Sequence, residues 1–156
     1  MKNNVQFLVV LLISLASCKT RTDVFEKNIA IPEREWQNQF KPEISFQVSD
    51  TMARYNIYVV VRHTNAYQYN NLWVNIYTQA PGDSAMNKQN LDLRLATDDR
   101  GWLGSGMDDI FEHRIQITKE PATLKAGTYR FRLENIMRID PLPEIMNMGI
   151  RVEKAR

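Results

Sequence analysis

Apolar residues on every second position, repeated along most of the chain, constrain this sequence more than any other feature. Ile44, Phe46 and Val48 alternate with Glu43, Ser45 and Gln47, and Ile57, Val59 and Val61 with Tyr58, Val60 and Arg62. Leu72, Val74 and Ile76 alternate with Trp73, Asn75 and Tyr77, while Leu91, Leu93 and Leu95 face away from Asp92 and Arg94. Phe111, Ile115 and Ile117 share a side, and Tyr129, Phe131 and Leu133 oppose Arg130, Arg132 and Glu134. Met148, Ile150 and Val152 close the series, and Phe25 to Ile31 opens it with Ile29 and Ile31 on one face. Successive side chains of a strand point to opposite faces, so each run is a strand with one buried side. About eight such strands predict an all-β domain, an antiparallel β-sandwich of jelly-roll type, with a partly closed barrel as the alternative. Pattern alone leaves the strand order open. Helical signal is confined to Glu33 to Gln39 after Pro32, where one or two turns are expected, with a further short turn at Asp140-Pro141-Leu142-Pro143.

The first residues have a different character. Lys2 precedes a nine-residue apolar run, Phe7 to Leu15, followed by the small residues Ala16 and Ser17 and then by Cys18. Nine helical residues span roughly 14 Å, about half of a hydrocarbon core, so the run is too short to cross a membrane. A charged start, a short apolar stretch and small residues are the marks of a secretory signal peptide. Leu15-Ala16-Ser17-Cys18 resembles a bacterial lipobox, in which a peptidase cuts before the cysteine and the thiol carries a diacylglyceryl group. Cys18 is the only cysteine, so no intramolecular disulfide competes for it. The expected division is residues 1–17 as signal peptide, 18–23 as an acylated tether and 24–156 as the sandwich. Membrane lipid, reached through Cys18, is then the first partner. Six tether residues extend at most about 20 Å, which holds the domain close to the bilayer.

Charge excludes one class of partner. Lys plus Arg number 20 against 18 Asp plus Glu, a net charge of +2, so nucleic acid is not expected. The densest unusual stretch runs from Asp98 to Asp109, Asp-Asp-Arg-Gly-Trp-Leu-Gly-Ser-Gly-Met-Asp-Asp, with Trp102 at its centre. Asp98, Asp99, Asp108 and Asp109 suit three roles: Ca²⁺ ligation, contact with a partner or glycan, and satisfaction of local backbone donors. The spacing does not match an EF-hand. Tyr67, Tyr69, Trp73 and Tyr77 form an aromatic group that serves either packing or stacking on a ligand. The candidate partner-binding set is therefore Asp98, Asp99, Trp102, Asp108, Asp109, Tyr69 and Trp73.

Catalytic constellations are missing. His63 and His113 fall on the apolar parity of their strands and are expected as satisfied, semi-buried histidines, with no third His or Cys to complete a zinc site. There is no Gly-x-Ser-x-Gly elbow. The carboxylates Asp98, Asp99, Asp108, Asp109 and Glu112 lie in one local stretch, not as a pair facing across a cleft. No catalytic residue, cofactor or metal is assigned.

Several ordered segments carry a family resemblance. Asn56 to His63, Tyr69-Asn70-Asn71-Leu72-Trp73, Ala80-Pro81-Gly82-Asp83-Ser84 and Gly101 to Ile110 resemble the GldH family, gliding-motility lipoproteins of the Bacteroidetes cell envelope. The resemblance spans nearly the whole mature chain. It implies a non-catalytic lipoprotein that supports the motility machinery or envelope assembly by contact with other envelope proteins, and it implies no cofactor. By resemblance to bacterial lipoprotein sorting signals, Lys19 after the cysteine, in place of Asp, and the absence of an acidic run in Lys19-Thr20-Arg21-Thr22 imply the outer membrane and its periplasmic face. The alternative from a different class is a glycan-binding module, or a remnant glycosidase, on the same sandwich.

Overall fold

The computed structural model describes residues 24–155, so the expectations for the signal peptide, Cys18 and the whole tether lie outside the described residues. Eight long strands carry the fold: β1 (Val24–Ala30), β2 (Glu43–Val48), β3 (Arg54–Thr64), β4 (Asn71–Gln79), β5 (Asn87–Arg94), β6 (Ile110–Gln116), β7 (Gly127–Asn135) and β8 (Ile145–Lys154). One sheet has the order β1-β8-β3-β6 and the other β2-β7-β4-β5, and every pairing is antiparallel. Short strands extend the first sheet: Ser105–Met107 lies beyond β6, and Ala122–Thr123 continues along the same side of β3.

The pairings are nested. β1 pairs with β8 (Ile29 opposite Met148), β2 with β7 (Phe46 opposite Tyr129), β3 with β6 (Val61 opposite His113) and β4 with β5 (Trp73 opposite Asp92). The chain is thus one long double-stranded ribbon folded at the β4–β5 hairpin. Two further pairings, β8 with β3 (Ile150 opposite Val59) and β7 with β4 (Leu133 opposite Ile76), roll that ribbon into two sheets. This is the jelly-roll order that the alternation left open.

The inward positions are the predicted ones. Ile44, Phe46, Val48, Ile57, Val59, Val61, Leu72, Val74, Ile76, Phe131, Leu133, Met148 and Ile150 are all buried in one core. Phe25 of the first sheet meets Phe46 of the second at 5.5 Å between ring centroids, and Phe46 stacks on Tyr129 and Phe131. The parity changes once, in β8: Ile145 and Met148 are both buried because the register with β3 shifts between Ile145 and Asn147. An extra residue in one strand restores the inward direction after the shift, which is the work of a β-bulge.

The helical expectation is corrected. The stretch after Pro32 forms a single 3₁₀ turn, Pro32–Arg34, and then a two-residue strand, Glu35–Trp36, paired with Leu142–Pro143. Trp36 is fully buried there and its indole N–H donates to the Phe40 carbonyl at 2.8 Å, so tertiary burial of one tryptophan outweighs the local helical signal.

The outer face of the first sheet is a chain of alternating charge. Glu153, Arg151, Glu26, Arg114, Glu112 and Arg62 are linked in that order by ion pairs. Burial pushes the Glu26 carboxyl up, but hydrogen bonds from Arg151 and Asn28 outweigh it and hold the group below its ordinary range. Gly149 makes room for this arrangement, because a Cβ there would lie 1.8 Å from Asn28 Oδ1.

Candidate functional site

One end of the sandwich collects most of the unusual residues. The inward parity of β3 and β6 carries His63 and His113 to the rim of the core, where they are buried and their Nε2 atoms lie 2.9 Å apart. His63 Nδ1 lies 2.7 Å from the Thr64 carbonyl, which can only accept, so that nitrogen carries a proton. In the neutral pair His63 Nε2 is then the acceptor, and His113 Nε2–H donates to it. Burial lowers the pKa of both rings, that of His113 to about 4 with a smaller contribution from His63, so both are neutral near pH 7.

Trp102 covers the pair. It belongs to a two-residue strand, Gly101–Trp102, paired with Ala96–Thr97, and its half-buried ring meets His63 edge-on at 4.4 Å between centroids. Phe111 and Tyr67 pack on the same indole, and Tyr69 packs edge-on against Tyr67. The Trp102 indole N–H donates to Asn65 Oδ1 at 2.9 Å. Tyr67 donates its hydroxyl proton to the Asn71 carbonyl at 2.9 Å, and burial drives its phenol pKa up.

Two of the three glycines of the Asp98–Asp109 stretch have a packing role, while Gly101 supplies a turn at φ 67°. A Cβ on Gly104 would lie 2.5 Å from the Glu112 carbonyl oxygen, and one on Gly106 would lie 2.7 Å from the Phe111 ring. Only glycine lets this segment lie flush against β6. The stretch is therefore two small strand pairs in succession, not one open loop. Asp108 and Asp109 form the two-residue turn between Met107 and Ile110, which pair with each other, and Asp108 adopts φ 54°.

Beyond that turn lies a cleft of about 730 Å³. Thr64, Asn65 and Ala66 form its floor, Met107 and Ile110 one wall, and Glu144 with Met146 the other. Met107 is 79% exposed and Ile110 37%. The floor is held by three contacts: Asn65 N–H donates to the Asp109 carbonyl at 2.7 Å, Thr64 N–H to the Glu144 carbonyl at 3.1 Å, and Thr64 Oγ1–H to the Glu144 carboxylate at 2.5 Å. Arg34 (φ 63°), Asp108 (φ 54°) and Glu144 (φ 70°) all border this cleft in the left-handed region, where residues other than glycine are strained.

The candidate residues of the sequence fall in three places. Asp108 and Asp109 rim the apolar cleft, and Trp102 and Tyr69 lie in the aromatic cluster behind its floor. Asp98 and Asp99 border a separate polar cleft with Asn70, Asn71, Asp92 and Arg94, next to Trp73 on the outer face of the second sheet. Tyr77 is also on that face, with the Arg132 guanidinium 4.7 Å from its ring centroid and its hydroxyl donating to Glu134. Among the described residues no three His, Cys, Asp or Glu side chains gather as a metal site. Sequence reasoning missed Thr64, Asn65, Glu144 and Met146, which are far apart along the chain. The one local clue was Met107-Asp108-Asp109-Ile110, two apolar residues around a two-residue polar turn, which reads as a hairpin.

The described residues define the class: an all-β antiparallel sandwich with exposed clefts at its edges. The profile of the GldH lipoprotein family matches residues 23–152, and the chain belongs to that family. Two curated relatives cover nearly all of it. The gliding motility lipoprotein GldH of Flavobacterium johnsoniae is 26% identical over 97% of this chain and 96% of its own length. The gliding motility lipoprotein GldH homolog of Christiangramia forsetii is 22% identical over 96% of this chain and 94% of its own length. Similarity to solved structures is weaker. A carbohydrate-binding module specific for non-crystalline cellulose matches with TM-score 0.41 and 10% identity, covering 84% of this chain and 72% of the module. The infectious bursal disease virus VP2 subviral particle matches with TM-score 0.38 and 12% identity, covering 85% of this chain and 32% of that one.

Proposed function

We propose that this protein is a non-catalytic cell-envelope lipoprotein that supports the gliding-motility machinery, or the assembly of the envelope around it, by docking a segment of another envelope protein. Cleavage before Cys18 and acylation of its thiol anchor the domain in the outer membrane, on the periplasmic face. The cleft at the end of the first sheet is the docking site, and its exposed Met107 and Ile110 are the observation that carries this reading. Apolar side chains exposed beside polar rim residues are the usual anatomy of a protein contact, with a few anchors supplying most of the affinity. Asp108, Asp109 and Glu144 form the rim, and Trp102 supports the floor from behind through Asn65. Family membership supports the motility setting.

The test replaces Met107 by a photo-crosslinking residue in a gliding host that lacks its own copy. The expected result is a crosslink to one discrete envelope protein, lost when Ile110→Asp is added. The Met107→Asp, Ile110→Asp double variant should abolish gliding at unchanged protein level. Normal gliding by that double variant would overturn the docking site.

A further inference from the structure

An exposed tryptophan and a polar cleft lie on the opposite sheet, away from the apolar cleft of the first. Trp73 of β4 is 41% exposed, the most exposed of the three tryptophans, since Trp36 is fully buried and Trp102 half-buried. Trp73 lies opposite Asp92 of β5, and Asn71 lies opposite Arg94, so the four side chains form a block on the solvent face. The Asn71 amide donates to Asp92 Oδ1 at 2.7 Å and holds that carboxylate in place. Past Arg94 the chain turns, and Thr97, Asp98 and Asp99 close a polar cleft around Asn71, Asp92 and Arg94.

We propose that this corner recognises a neutral, hydroxyl-rich glycan, with one sugar ring stacked on Trp73. The argument is chemical. The apolar C–H face of a pyranose suits an exposed indole, which has a large apolar body. Each sugar hydroxyl both donates and accepts, and needs partners of both kinds. The corner supplies acceptor-only carboxylates (Asp92, Asp98, Asp99), a donor-only guanidinium (Arg94) and an amide that does both (Asn71). Directly paired side chains on neighbouring strands start about 5 Å apart at Cβ, so a ring on Trp73 places its hydroxyl edge over Asp92. Asp92, Asp98 and Asp99 outnumber Arg94 and the Arg100 that pairs with Asp99 at 3.7 Å, and this negative balance disfavours an anionic ligand, which selects neutral sugars over uronates and phosphates.

The full chain, purified in a sugar-free detergent, is titrated with maltohexaose, chitohexaose and mannohexaose, and with a galacturonate hexamer as the anionic control. Calorimetry and tryptophan emission are the readouts. At least one neutral hexamer should bind with a Kd below about 1 mM and shift the emission, and the galacturonate should not. Trp73→Ala should remove the emission shift and weaken binding at least about tenfold. Asp92→Asn, which keeps the shape of the side chain, should weaken binding with no change in melting temperature and guards against a folding artefact. The Met107→Asp, Ile110→Asp variant should bind sugar as the wild type does, which separates this site from the docking cleft. No binding of any neutral hexamer at about 10 mM, binding indifferent to Trp73→Ala and Asp92→Asn, or equal binding of the galacturonate would each overturn the proposal.

Discussion

Acidification should destabilise the domain through one pair of residues before any other group contributes. His113 is buried, and its pKa in the fold is about 4 against an ordinary 6.5, while His63 is lowered in the same direction. A depressed histidine pKa means that the unfolded chain takes up a proton which the fold refuses. Stability is therefore full above pH 6.5 and falls as the pH drops from there toward 4. A shift of that size corresponds to about 3 kcal/mol for His113 over the whole window, and about 2 kcal/mol is lost by pH 5. His63 adds to the slope. The hydrogen-bonded carboxylate Glu134 acts lower down: partial burial raises it, but hydrogen bonds from Lys41, Asn75 and Tyr77 bring it to about 2, so its contribution is lost only as the pH falls below about 4.5. Denaturant unfolding at pH 7, 6 and 5 reads the histidine window alone. His113→Gln should cost stability at pH 7 but flatten the profile between pH 7 and 5. A wild-type curve already flat over that range, or an equal slope in His113→Gln, would refute the reasoning.

Four other outcomes follow from the packing and the anchor. Cys18→Ala should give uncleaved or mislocalised protein without a lipid label, seen by mass spectrometry of the mature terminus and by acyl labelling. Phe131→Asp should unfold the domain or cost at least about 4 kcal/mol, because the charge would be buried without a partner between the sheets. Trp102→Ala should lower stability by about 2–4 kcal/mol, measured by denaturant unfolding, since the indole packs on His63, Phe111 and Tyr67 and holds Asn65. Gly149→Ala should cost about 1–3 kcal/mol in the same assay by displacing the Asn28 side chain, whose amide donates to Glu26.

The sequence by itself determined which residues face inward, because the side-chain period of a strand is a local property. Phe46, Val59, Ile76, Phe131 and Ile150 were readable as core from their neighbours alone, and so was the sandwich class. The exceptions were places where a distant contact outweighed the local pattern. Trp36 pulled the Pro32 segment into a strand, and the bulge at Ile145 changed parity within one strand. Only the tertiary structure decided which chain ends meet. Thr64, Asp109 and Glu144 are separated by long stretches of chain, yet they meet where β3, β6 and β8 end side by side. The contact between His63 and His113 depends on the register of two strands separated along the chain by β4, β5 and three short strands, and the Trp73–Asp92 corner on the register across the hairpin. Alternation repeats every two residues and so leaves register and strand order undetermined; packing of the two sheets against each other removes that degeneracy and creates both clefts.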